Sequence, residues 1–141
     1  MSLRRRAVAS TSALFLSVGG MLGVAAPTAV AGEHDGSCEL LELCLFYNSD
    51  LAGAKHDFRS RVPDFGPYRF LGSGDGSGLT VKNNATSARN YDGYFTARIY
   101  YYSGYSGPAD DVRPQAWRNL ADTYNDNASM NWCYQQPLVC G

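Results

Sequence analysis

Four cysteines and two histidines are the residues of this 141-residue chain best equipped for chemistry. Cys38, Cys44, Cys133 and Cys140 make an even count, which suits two disulfides in an oxidising compartment. Three pairings are open. The short separations within Cys38/Cys44 and Cys133/Cys140 favour two local loops, each worth about 2 kcal/mol on the loop-entropy model, while the other pairings would tie the chain ends together. Zinc is the competing use of four cysteines, but neither pair has the ligand gap of structural zinc sites. His34 and His56 lie in no motif with metal-ligand or nucleophile spacing. His34 falls near the expected mature N-terminus and is read as flexible, and His56, just past a glycine turn, as a solvated polar residue. Ser73 and Ser77 sit in the run Gly72 to Gly78, where no nucleophile elbow can be drawn and a mobile hairpin loop is expected. Asp110 and Asp111 are adjacent, so on a strand they point apart. No catalytic set assembles, and the chain is read as a non-enzyme.

The N-terminal elements say where such residues would be delivered. Arg4, Arg5 and Arg6 precede an apolar run from Ala13 to Val24 and a small-residue stretch ending Ala29-Val30-Ala31. This is the pattern of a secretory signal peptide over residues 1–31, with cleavage before Gly32 by the general rather than the twin-arginine route. The apolar run is too short and Gly-rich for a membrane span, and no later segment could form one. Cleavage removes three arginines, so nine Lys and Arg face 13 acids and the mature net charge is −4. That balance argues against nucleic acid as a partner. Residues 32–141 are expected to form one secreted, extracellular, monomeric domain. A mature chain starting Gly32-Glu33-His34 would also carry a free amine with histidine third, an arrangement that can wrap Cu(II) or Ni(II) in nitrogens.

Short apolar and aromatic runs separated by turn residues predict an all-β domain. The runs are Cys44 to Tyr47, Tyr68 to Leu71, Leu79 to Val81, Tyr94 to Ala97 and Ile99 to Tyr102. Pro114 to Ala121 is the one helical candidate, barely two turns, with Pro114 at its first position. Trp117 and Trp132 are read as core fillers with their indole N–H satisfied.

An internal repeat organises these runs. Leu45 to Gly53 lines up with Ile99 to Gly107, and Asn83-Asn84-Ala85-Thr86-Ser87 with Asp126-Asn127-Ala128-Ser129-Met130. Each half reads as one Greek key of about four strands. Here the chain resembles the βγ-crystallin superfamily, whose Greek keys carry an aromatic, a second aromatic five residues on, and a glycine two beyond. Tyr100, Tyr105 and Gly107 match; Phe46, Leu51 and Gly53 match except that Leu51 replaces the second aromatic. Within the superfamily it resembles secreted bacterial peptidase inhibitors of the Streptomyces metalloproteinase inhibitor type, through Cys38, Cys44, Leu45-Phe46-Tyr47, Gly53 and the repeated Asn-Ala-Thr/Ser segments. The resemblance implies a sandwich of two Greek keys and inhibition of an extracellular metalloprotease by a rigid surface loop. In the prototype that loop lies in a second disulfide ring inside the second Greek key, whereas here the second cysteine pair is C-terminal.

The inhibitory loop is therefore sought in the Cys133–Cys140 ring, where a disulfide and Pro137 cut the entropy lost on binding. Tyr134, Leu138 and Val139 are the side chains it would offer to a hydrophobic specificity pocket, unless the ring only staples the C-terminus. The resemblance also implies calcium, held by Asn83, Asn84 and Thr86 in one half and Asp126, Asn127 and Ser129 in the other, with Met130 disturbing the second loop's packing. No cofactor is required on this reading. Asn84-Ala85-Thr86 and Asn127-Ala128-Ser129 are glycosylation sequons as well, though the repeat accounts for both without sugar. Alternative roles are a calcium-stabilised structural or cell-surface module and a toxin-like secreted protein.

Overall fold

In the computed structural model, which describes residues 32–141, the described residues form eight strands and no helix. The expected signal peptide, residues 1–31, lies outside them. The strands are β1 (Leu43–Asn48), β2 (Ala52–Phe58), β3 (Ser87–Asn90), β4 (Thr96–Tyr102), β5 (Ser106–Val112), β6 (Trp117–Asn119), β7 (Ser129–Gln135) and β8 (Leu138–Cys140). They build two antiparallel four-stranded sheets, ordered β2-β1-β3-β6 and β5-β4-β7-β8. The inner faces meet in one core. Leu43, Leu45 and Phe58 from the first sheet pack with Ala97, Ile99, Val112 and Met130 from the second, and Phe65, Phe70 and Val81 fill in from the connection between β2 and β3.

Each half lends a segment to the other half's sheet. β6 pairs with β3, matching Arg89 with Trp117 and Ser87 with Asn119. In return Val62 and Met130 exchange two backbone hydrogen bonds of 2.9 Å. The first hairpins match as the repeat predicts. Leu51 and Tyr105 both take positive φ, 60° and 64°, and their N–H groups donate to the Ser87 and Ser129 hydroxyls at 3.1 Å. Those hydroxyls donate in turn to the Asn48 and Tyr102 carbonyls. Gly107, at φ 88°, has no room for a side chain: a Cβ there would stand 2.6 Å from the Tyr102 ring, so only glycine closes this turn.

The structure corrects four expectations. The segment Pro114 to Ala121 is not helical: Gln115 has a φ of 56°, and pairing with β3 supplies bonds that an isolated two-turn helix would lack. The second repeat segment is shifted by one residue. Asn83 and Asn125 share a left-handed backbone, and their N–H groups donate reciprocally to the Asn127 and Ala85 carbonyls at 2.8 and 3.0 Å. Ser87 thus corresponds to Ser129, and Met130, fully buried in the core, disturbs no loop. Trp117 is exposed on edge strand β6, whereas Trp132 donates its indole N–H to the Arg59 carbonyl at 2.8 Å. Of the predicted runs, Tyr68 to Leu71 and Leu79 to Val81 make an irregular ladder through the Arg69–Thr80 bridge rather than full strands.

Candidate functional site

Two disulfides close two local loops, Cys38–Cys44 and Cys133–Cys140. The second is a hairpin. β7 and β8 pair Cys133 with Cys140, Tyr134 with Val139 and Gln135 with Leu138, leaving Gln136 and Pro137 as the turn. Tyr134 is 63% exposed, Val139 53% and Leu138 39%. The hairpin is anchored sideways. The Tyr134 ring meets Phe95 edge-on at 5.1 Å between centroids, and the Gln135 amide donates to the Tyr94 carbonyl at 3.4 Å. Leu138 also lines a groove of about 300 Å³ with Thr96, Asp111, Arg113 and the two glutamines.

The first loop carries Leu40 and Leu41 to the surface. Inside it, the Glu42 carboxylate accepts the Glu39 N–H at 2.8 Å, but one oxygen of each glutamate is buried with no partner. Burial, with Asp57, Glu39 and Asp35 nearby, raises the Glu42 pKa above the ordinary carboxylate value.

Both histidines sit differently from expectation. His56 is buried on β2, stacked among His34, Phe58 and Tyr68 rings. Its Nδ1 lies 2.6 Å from the Arg69 carbonyl and must carry the proton, leaving Nε2 as acceptor. That Nε2 faces His34 Nδ1 at 3.1 Å. The strap before Cys38 is held down by Asp57, a buried carboxylate that accepts the N–H groups of His34, Asp35 and Gly36. The His34 amide and ring nitrogen needed for a copper square are thus already engaged. Alternation along β2 could have placed His56 inward; its partners, distant in sequence, could not be read.

The six expected calcium residues come together in two facing segments, and the side-chain oxygens of three of them, Thr86, Asn127 and Ser129, are in hydrogen bonds within the protein. Thr86 Oγ1 donates to the Tyr47 carbonyl. Asn127, fully buried, accepts the Ala85 N–H at 2.9 Å and donates to the Val81 carbonyl at 3.0 Å. Ser129 supports the folded hairpin. Asn84 donates to the Thr80 and Lys82 carbonyls. Asp126 lines a surface pocket with Asn83, beside Lys82. The buried Asn127 leaves no access for a sugar in the folded chain. Among the described residues no three His, Cys, Asp or Glu side chains are grouped to hold a metal. Asp110 and Asp111 do diverge: Asp110 is buried, taking two N–H groups and the Thr123 hydroxyl, while Asp111 faces Arg98 at 3.6 Å.

Comparison with known proteins bears on this arrangement. A solved structure titled "Evolution of the eye lens beta-gamma-crystallin domain fold" superposes with a TM-score of 0.53 at 14% identity, over 74% of this chain and 93% of that one. At that identity the likeness shows the fold alone, a βγ-crystallin sandwich. No curated protein sequence matches the chain. The family model of peptidase inhibitor family I36 matches residues 31–112, which contain the Cys38–Cys44 loop and end with β5. That match spans more than half of the chain, and with the two-Greek-key fold it shows that this protein belongs to peptidase inhibitor family I36.

Proposed function

We propose that the protein is an extracellular metalloprotease inhibitor that presents the Cys133–Cys140 hairpin to the enzyme's specificity pocket. Membership of an inhibitor family makes its role inhibition rather than catalysis. The observation that carries the finer reading is the hairpin itself: Tyr134, Leu138 and Val139 stand in solvent on two strands closed by a disulfide and braced against Phe95. Exposed apolar side chains on a fixed backbone bind with little further loss of entropy. Leu138 is the anchor, since it sits nearest the tight turn and borders the groove.

Assay of the mature protein against secreted metalloproteases and serine proteases tests this. Leu138→Asp should weaken metalloprotease inhibition by about a hundredfold or more, because an apolar anchor is worth roughly 1.5–3 kcal/mol and its replacement buries a charge. Its melting temperature should stay put, as for most exposed sites. Inhibition confined to serine proteases would remove the metalloprotease assignment; unchanged inhibition by the variant would remove the hairpin.

A further inference from the structure

We infer that the Cys38–Cys44 loop, with Tyr94, is a second contact element for the same peptidase, so that Leu40, Leu41 and Tyr94 form with Tyr134, Leu138 and Val139 one docking face across both Greek keys. The inference rests on the reading of the protein as a peptidase inhibitor and adds a second half to its binding surface.

The two loops belong to different sheets but lean on one turn. Leu41 donates its N–H to the Tyr91 carbonyl at 3.3 Å, and the Tyr91 N–H returns to the Glu42 carbonyl at 2.7 Å. On the other side Gln135 reaches the Tyr94 carbonyl and Tyr134 packs on Phe95. Between Tyr91 and Tyr94 the backbone is fixed. Asp92, buried, accepts the N–H groups of Tyr94 and Phe95 at 2.6 and 2.7 Å. Asn90, fully buried, accepts the Asp92 N–H and donates to the Phe95 and Val112 carbonyls. Both disulfide loops are therefore held to one rigid connection between the Greek keys, one loop at each end of it.

What this connection holds up is apolar and unused by the fold. Leu40 is 71% exposed and Tyr94 78%. Leu41 takes a φ of 72°, a conformation costly for a branched side chain where glycine or asparagine would serve. A loop selected only to staple the chain would not need two leucines in solvent, one of them at that conformation. Tyr94 is of the type enriched at interface centres, and Leu40 and Leu41 add apolar surface that the fold leaves in water. The occupant is the peptidase, the partner that the family match implies, and the matched residues 31–112 contain both the loop and the turn.

The experiment compares Leu40→Asp, Tyr94→Ser and Leu138→Asp for inhibition constant, melting temperature and molecular mass in solution, using a metalloprotease that the unaltered protein inhibits. Leu40→Asp and Tyr94→Ser should each weaken inhibition roughly tenfold or more, with unchanged melting. Hydrogen exchange in the complex should show new protection in residues 38–44 and 90–95. If both variants inhibit as well as the parent while Leu138→Asp does not, the second element is refuted and the hairpin survives. If Leu138→Asp alone is silent, the second element stands and the hairpin falls. A parent dimer that these variants split without changing inhibition would give the face to a second copy of the chain and overturn the inference; a parent that inhibits no peptidase overturns it together with the reading beneath it.

Discussion

His56, on β2, ties part of the N-terminal strap to a single proton. His56 can accept from His34 only while its Nε2 is bare, and burial lowers its pKa. The folded protein thus binds this proton less readily than the unfolded chain, so its contribution to stability is present above about pH 6.5 and is lost as pH falls below it. Glu33, 3.5 Å from the far nitrogen of His34, can stabilise a charge there but not on His56. Glu42 has the opposite sign. Its raised pKa means the folded state holds that proton more tightly, and this contribution, complete below about pH 4.3, is lost as pH rises through the folded value. The expected outcome is that His56→Gln flattens the fall in melting temperature between pH 7 and 5, and that Glu42→Gln raises melting at pH 7 more than at pH 4. Thermal scans across pH check both; a His56→Gln slope equal to the parent's would show that the strap does not answer to this proton.

At the scale of elements, one buried amide is among the links that join the two halves. Asn127 satisfies the Ala85 N–H and the Val81 carbonyl, both in the other Greek key. Asn127→Ala would orphan two backbone groups and should cost about 2–5 kcal/mol, read as a lower denaturant midpoint. Calcium is tested on the same segments: with Thr86, Asn127 and Ser129 committed to the protein and Lys82, its ammonium paired with Asp64 at 2.9 Å, lining the same pocket as Asp126, melting is expected to be equal in chelator and in millimolar calcium. A rise following RT ln(1 + [Ca]/Kd), about 2.7 kcal/mol at a hundredfold excess, would restore the ion. The hairpin turns were legible because Tyr100, Tyr105 and Gly107 answer a backbone requirement that composition cannot disguise. The one-residue slip at Asn125 was not, because the connection after Gly107 is shorter than that after Gly53 and only hydrogen bonds fix the register. β6 was misread for a related reason: short segments take the structure their neighbours offer, and β3 offered an edge. The loop cysteines announced the candidate site, while Leu40, Leu41 and Tyr94 gave no signal until the turn joining them was seen.

For the whole molecule, exchange of segments between the sheets makes the Greek keys one cooperative body, with the two disulfide loops at its edges. Such loops change what cutting means. If a peptidase hydrolyses a bond between Cys133 and Cys140, the two new ends remain joined through sulfur, and β7 still belongs to its sheet. The product gains one water, keeps its shape and runs as a single chain until it is reduced, when it releases a short C-terminal peptide. The same holds for a cut between Cys38 and Cys44, where reduction frees the strap. The severed ends cannot diffuse apart, and the newly formed amine and carboxylate remain close enough to be rejoined. Mass spectra of the complex, with and without reductant, should therefore show intact and nicked inhibitor coexisting rather than progressive degradation.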